Sequence, residues 1–243
     1  MKFFYRVPLL LCSVCLLTVG PLGAEPAKAD ATEILDSYLN AARSQRDRLH
    51  GSVAEMSIDA EVPRLNKTGK LNALRRISRL GRMTYDILRF EGDNSIKNQV
   101  IARYLSAEAQ VRESGDASLA IVPENYKFSY KGLRELDGRS VHQFELKPRA
   151  RRKGLFKGNL WIDARSYLPV REAGRFVKNP SIFIKKVEFT RDYRFQDGLA
   201  LLDRLDTVVE TRVVGPAHMT VHYTDYRFEP RSVDVGQIPT DNQ

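Results

Sequence analysis

From Ala31 to His50 the apolar residues Ile34, Leu35, Tyr38, Leu39, Ala42 and Leu49 fall on one helical stripe, with Arg43, Gln45, Arg46 and Asp47 facing away. Asp30 or Thr32 can cap its start and Gly51 can close its end, so the spacing predicts an amphipathic helix. After Gly51 the period changes to two. Ala54, Met56, Ile58, Ala60 and Val62 alternate with Glu55, Ser57, Asp59 and Glu61, which is the pattern of a half-buried strand. Similar alternation predicts strands over Leu71–Leu80, Arg82–Phe90, Tyr126–Leu136, Ser140–Leu146, Asn159–Asp163, Leu168–Val177, Ile182–Phe195, Leu199–Val214 and Ala217–Phe228. Gly81, Gly92-Asp93-Asn94, Asp137-Gly138, Asp197-Gly198 and Gly215-Pro216 punctuate them. The stretch "NQVIARYLSAEAQ" fits a helical stripe through Val100, Ile101, Tyr104, Leu105 and Glu108, and also an alternation through Val100, Ala102 and Tyr104. It is expected to be a strand that ends in a helical turn.

Strands joined by short hairpins, without regular helical crossovers, imply a mainly β (α+β) chain built on one large antiparallel sheet. About ten strands cannot stay flat, because accumulated twist curls a sheet of that size. The expectation is a strongly curved sheet with the N-terminal helix on its concave side and an apolar pocket left beside it. No linker or shift of composition divides residues 30–243, so they are expected to form a single domain.

The first residues change what counts as the folded chain. Lys2 and Arg6 precede an apolar run of about 13 residues to Val19, broken by Gly20 and Pro21, in the layout of a secretory signal over residues 1–29. The run is shorter than the roughly 20 residues of a membrane-crossing helix. Cleavage is expected after Ala24 or after Ala29. Cys12 and Cys15 both lie within this segment, so the mature chain has no cysteine and must rely on a hydrophobic core. Its net charge falls from +9 to +7, with 37 basic against 30 acidic residues for the first site or 36 against 29 for the second. Export argues against nucleic acid as the natural target, and the excess charge points to anionic lipid headgroups, an acidic protein or simple solubility.

The segment "GNLWIDARSYLPVRE", Gly158 to Glu172, reads as a hairpin with Leu160 and Ile162 on one face and Trp161 on the other. Ala164-Arg165-Ser166 makes the turn, and Pro169 starts or edges the return strand. With the exported chain, the leading helix and the long meander, this hairpin resembles the LolA/LolB-type superfamily of periplasmic lipoprotein carriers. The matching positions are Leu160, Trp161, Ile162, Asp163, Leu168, Pro169 and Arg171, followed by a hairpin with Val187 and Phe189 inward. The resemblance implies an incomplete β-barrel, closed by helices, whose interior receives acyl chains of lipoproteins or lipids. It implies a periplasmic, monomeric carrier or chaperone without cofactor, metal or catalytic residues, active in outer-membrane lipoprotein sorting. An RseB-type sensor or scaffold that binds an acidic protein partner is the alternative. In such a fold Leu35, Tyr38, Leu39, Met56, Ile58, Phe128, Trp161 and Phe189 are the expected acyl-chain contacts.

The chain departs from the carriers in its basic stretch "KPRARRKGLFKG", which holds Lys147, Arg149, Arg151, Arg152, Lys153 and Lys157 around Leu155-Phe156. A basic loop with an apolar tip suits transient contact with an anionic membrane or an acidic partner, through Arg149, Arg151, Arg152, Lys153, Phe156 and Lys157. The solvated-loop reading stands beside it. Arg75, Arg76, Arg79 and Arg82 read first as a solvent face or edge protection. Tyr126, Phe128 and Tyr130 share one strand face and read as core or pocket lining. His218 and His222, on a strand, lie about 13 Å apart at roughly 3.3 Å per residue, too far to share an ion. No nucleophile elbow, phosphate loop or zinc helix motif appears, so an enzyme is not expected.

Overall fold

The computed structural model describes residues 27–113, 119–179 and 182–229; most of the expected signal segment lies outside them. Helix α1 (Ala27–Arg48) leads into ten strands: β1 (Ser52–Val62), β2 (Lys67–Ile77), β3 (Met83–Gly92), β4 (Tyr126–Leu136), β5 (Arg139–Pro148), β6 (Phe156–Asp163), β7 (Pro169–Phe176), β8 (Ile184–Gln196), β9 (Leu199–Thr211) and β10 (Pro216–Phe228). Between β3 and β4 a short α2 (Asn94–Ile96) runs through a π-helical stretch (Lys97–Ile101) into α3 (Ala102–Glu113). "NQVIARYLSAEAQ" is therefore helical throughout, against the expected strand. Ala, Leu, Glu and Gln favour the helix, and its stripe places Ile101 and Leu105 in the core.

All ten strands belong to one antiparallel sheet in the order β3-β2-β1-β10-β9-β8-β7-β6-β5-β4. Each hairpin partner follows its neighbour in sequence except where β1, third from one edge, pairs with β10, with Ile58 opposite Val221 and Ser57 opposite His222. The edges β3 and β4 do not pair, which leaves the barrel incomplete. Laid flat, ten strands at about 4.8 Å would span roughly 43 Å. Yet buried side chains of strands from β2 round to β5 join α1 and the second helical segment in one core cluster. The sheet is therefore strongly curved, with its helices on the concave side.

Two-residue turns hold the meander at Asp137-Gly138 and Asp197-Gly198, where φ is positive at both positions (50° and 75°, 52° and 69°). That is the pattern of type I′ turns, whose twist matches the strands they join. Alternation assigns the faces. Ala54, Met56, Ile58 and Ala60 of β1 pair in register with Arg75, Ala73, Leu71 and Gly69 of β2, and this set faces inward. Across β6 and β7 the inward position is glycine on both strands, Gly158 opposite Gly174. A Cβ on Gly158 would come within 2.0 Å of the Ala173 carbonyl oxygen, so the backbones approach where no side chain fits.

Candidate interior binding site

The inner face collects the buried apolar cluster. Met56, Ile58, Leu71, Phe144, Leu146, Leu160, Ile162, Phe189 and Val221 come from strands, Ile34 and Tyr38 from α1, and Ile96, Ile101 and Leu105 from the second helical segment. Leu35, Leu39 and Phe128 pack against it. Seven of the eight residues expected to touch acyl chains thus share one interior. Trp161 does not join them. The alternation that turns Leu160 and Ile162 inward turns Trp161 to the outer face, half-buried, opposite Gln143 and Arg171.

α1 is fastened at its C-terminal end. Gln45 Oε1 accepts the Ala200 N–H at 2.7 Å, and Arg48 donates to the carbonyls of Asp197 and Gly198 at 2.7 and 3.2 Å. Towards the other end Ile34, Leu35, Tyr38 and Leu39 turn its stripe onto the core. Burial raises the Tyr38 phenol pKa, and the Glu172 charge adds to the effect.

Sequence reasoning missed the charges in this interior. Arg75 Nη2 lies 3.3 Å from Glu108 Oε1, Tyr85 donates to Glu108 at 2.7 Å, and the hydroxyls of Tyr104 and Tyr223 are 2.9 Å apart. The Arg75 guanidinium stands 5.5 Å from the centre of the Tyr223 ring. Burial works against the Glu108 charge, but Arg75 and the Tyr85 and Tyr104 hydroxyls together hold its pKa below the usual value. Nearby, Glu172 receives Arg191 at 3.0 Å and Tyr193 at 2.9 Å, while Arg191 covers the Phe189 ring at 4.7 Å. Each pair is neutral as a unit. Arg75 was expected on a solvent face with Arg76, Arg79 and Arg82; only the latter three are exposed, with Arg76 on Asp86 and Arg79 on Glu229. The signal was phase: Arg75 keeps step with Leu71, Ala73 and Ile77, Arg191 with Val187 and Phe189, and Glu172 with Val170.

The basic stretch divides. Arg149, Arg151, Arg152 and Lys153 are exposed in the β5–β6 loop, and Lys157 is exposed on the outer side of β6. Leu155 and Phe156 are not an exposed tip. Leu155 is fully buried, and Phe156 packs edge-on against Phe189 at 4.9 Å and tilted against Tyr126 at 5.6 Å. The aromatic side chain belongs to the inner face, so it withdraws from the membrane contact expected of it. Outside, a shallow groove of about 660 Å³ crosses β5 to β9, lined among others by Glu145, Lys157, Asn159, Arg175, Glu188 and Asp206. Ala173, Phe189 and Val208 stand beside these charged groups in its walls. His218 and His222 lie opposite Glu61 and Ser57 on this outer side. Among the described residues no cluster of three or more His, Cys, Asp or Glu is placed to hold a metal ion.

No protein-family model matches the chain, and no curated protein matches it. Solved structures do. A DUF1329 family protein from Desulfovibrio piger is 14% identical with a TM-score of 0.41, over 84% of this chain and 95% of that one. A putative outer membrane lipoprotein-sorting protein domain from Vibrio parahaemolyticus is 13% identical with a TM-score of 0.41, over 79% and 92%. A LolA superfamily protein from Nitrosomonas europaea is 14% identical with a TM-score of 0.40, over 81% and 94%. The superfamily that the strand-turn-strand pattern resembles is thus among the chain's structural neighbours. Likenesses at this level assign no ligand to it.

Proposed function

We propose that the protein is an exported, periplasmic, non-enzymatic carrier that holds acyl chains of a lipoprotein or lipid between its helices and its curved sheet. One observation supports this above the others: the apolar inner face is covered by helices outside the hydrogen-bonded sheet, and α1 adds an apolar stripe held through Gln45 and Arg48 near its C-terminal end. An acyl chain can take the place of that stripe without breaking the ladder. Burial of Ile34, Leu35, Tyr38 and Leu39 is worth about 6 kcal/mol at roughly 1.5 kcal/mol per side chain. Half of a sixteen-carbon chain gains about the same at ~0.8 kcal/mol per methylene. Exchange is therefore close to balanced, as a carrier that must also release its cargo requires.

Native mass spectrometry after gentle extraction tests the proposal, together with titration of a sixteen-carbon acyl probe. In a Trp161→Phe background, Tyr38→Trp puts the reporter on α1. Its emission is expected to shift as the probe binds. A protein that carries no lipid, takes up no probe and retains an acidic protein instead would replace the carrier with a scaffold.

A further inference from the structure

In an antiparallel meander alternate loops lie at the same end. The β1–β2 loop (63–66), the β5–β6 loop (149–155), the described parts of the β7–β8 loop (177–179 and 182–183) and the β9–β10 loop (212–215) share one rim. These four segments hold seven basic residues, Arg64, Arg149, Arg151, Arg152, Lys153, Lys178 and Arg212, and no acidic one, while the β3–β4 connection, which reaches the same end, adds Asp93, paired with Lys67, and the exposed Glu124. The loops of the opposite end, 78–82, 137–138, 164–168 and 197–198, hold three basic residues and two acidic.

Arginines tie the rim together. Arg64 reaches the Val213 carbonyl at 3.5 Å, Arg212 the Ile182 carbonyl at 2.8 Å, Arg151 the Val177 carbonyl at 3.0 Å and Arg149 the Pro123 carbonyl at 2.6 Å. A carbonyl partner fixes the guanidinium in place and leaves its unit charge intact. Between these cations four apolar side chains point to solvent: Leu65, 45% exposed, Ile182, 79%, Phe183, 62%, and Val213, 67%.

We infer that this rim docks the protein on an anionic lipid bilayer, with Ile182, Phe183, Val213 and Leu65 entering the headgroup region and the arginines and lysines above it. Basic residues attract anionic headgroups, and apolar tips gain by partial burial at the interface. The tips come from three separate loops, which suits a fluid surface better than a folded partner. This docking is independent of what the interior holds.

Vesicles of phosphatidylcholine with 30% phosphatidylglycerol test it at low salt. The folded protein is expected to bind them, to bind phosphatidylcholine alone much more weakly, and to dissociate in 0.5 M sodium chloride. Lys153→Gln with Lys178→Gln is expected to weaken binding by about 25-fold, from roughly five-fold for each charge lost. Ile182→Ser with Phe183→Ser, circular dichroism unchanged, is expected to weaken binding also. Orientation is read in a Trp161→Phe background. Phe183→Trp should shift to the blue on anionic vesicles, while Leu80→Trp, at a 96%-exposed position on the opposite end, should not. Absence of vesicle binding by the folded protein, or equal shifts at both ends, overturns the inference. So does binding to polyglutamate in place of vesicles, which would assign the rim to an acidic protein.

Discussion

Arg75 of β2 and Glu108 of α3 form an ion pair, 3.3 Å apart, inside the curve of the sheet, with the arginine side chain 9% exposed. Breaking one half of a buried pair leaves a charge without its partner, which costs about 3–5 kcal/mol. Glu108→Gln keeps an acceptor for Tyr85 but removes the charge, so a loss of about 3 kcal/mol is expected in urea unfolding. Arg75→Met combined with Glu108→Leu should recover most of it, because an apolar pair of similar volume replaces the ionic one.

Acid should weaken the fold through three carboxylates whose pKa values lie below the usual range. Glu108 is held down by Arg75 and two phenols against the effect of burial. Asp163 is held down against burial by the Ser166 N–H and hydroxyl, by the Arg165 N–H and by Arg139. Asp206 is lowered first by Arg204, with Thr220 helping against partial burial. A depressed native pKa contributes stability above the unfolded value, about 3.9 for Asp and 4.3 for Glu, and loses it as pH falls through the native value. The urea midpoint should therefore vary little on account of these groups from pH 7 to about 5 and drop below about 4. Asp163→Asn, which keeps the Oδ1 acceptor, should flatten that drop.

Gly158→Ala should destabilise by about 2–3 kcal/mol, because the new methyl would meet backbone and not a side chain that could turn away. Gly138→Ala has no heavy atom within 4 Å of the new Cβ and suffers only from φ near +75°, so about 1 kcal/mol is expected. Thermal melts of the two variants should separate these causes.

Phe156→Ala should cost about 3–5 kcal/mol, as for a core aromatic, since the side chain is 3% exposed. At temperatures where the variant remains folded, its vesicle affinity should match that of the wild-type protein. A selective loss of vesicle binding at full stability would return this residue to the surface.

Much of the fold was legible because period-two alternation is strong in β1, β4 and β10, and the Asp-Gly pairs carry their own backbone geometry. The interior half of the site was legible for the same reason, since Met56, Ile58, Phe128 and Phe189 fall on inward phases. Arg75, Glu172 and Arg191 were hidden by their chemistry: charge suggested solvent, although phase assigned each to the inside. Phe156 was misplaced because a basic neighbourhood made an apolar pair look like a protruding tip, when Phe156 already belongs to β6. The second helix was obscured by Val100-Ile101, whose β-branched side chains suit a strand but here meet no strand partner. Nothing in hairpin punctuation could reveal the rim, because its members are far apart in sequence and are assembled by the sheet.

The seam between β1 and β10 sets an order of assembly. β1, β2 and β3 can close their two hairpins as soon as they exist, but the free side of β1 must wait for the last strand of the described chain. Until then a three-strand ribbon and a growing meander coexist, each with an open edge capable of joining another copy. Joining them closes a loop over most of the chain, a slow step for a topology rich in distant contacts. Refolding should show hairpin protection early and β1–β10 amide protection last. Any truncation that removes β10 should leave two separate sheets of three and six strands.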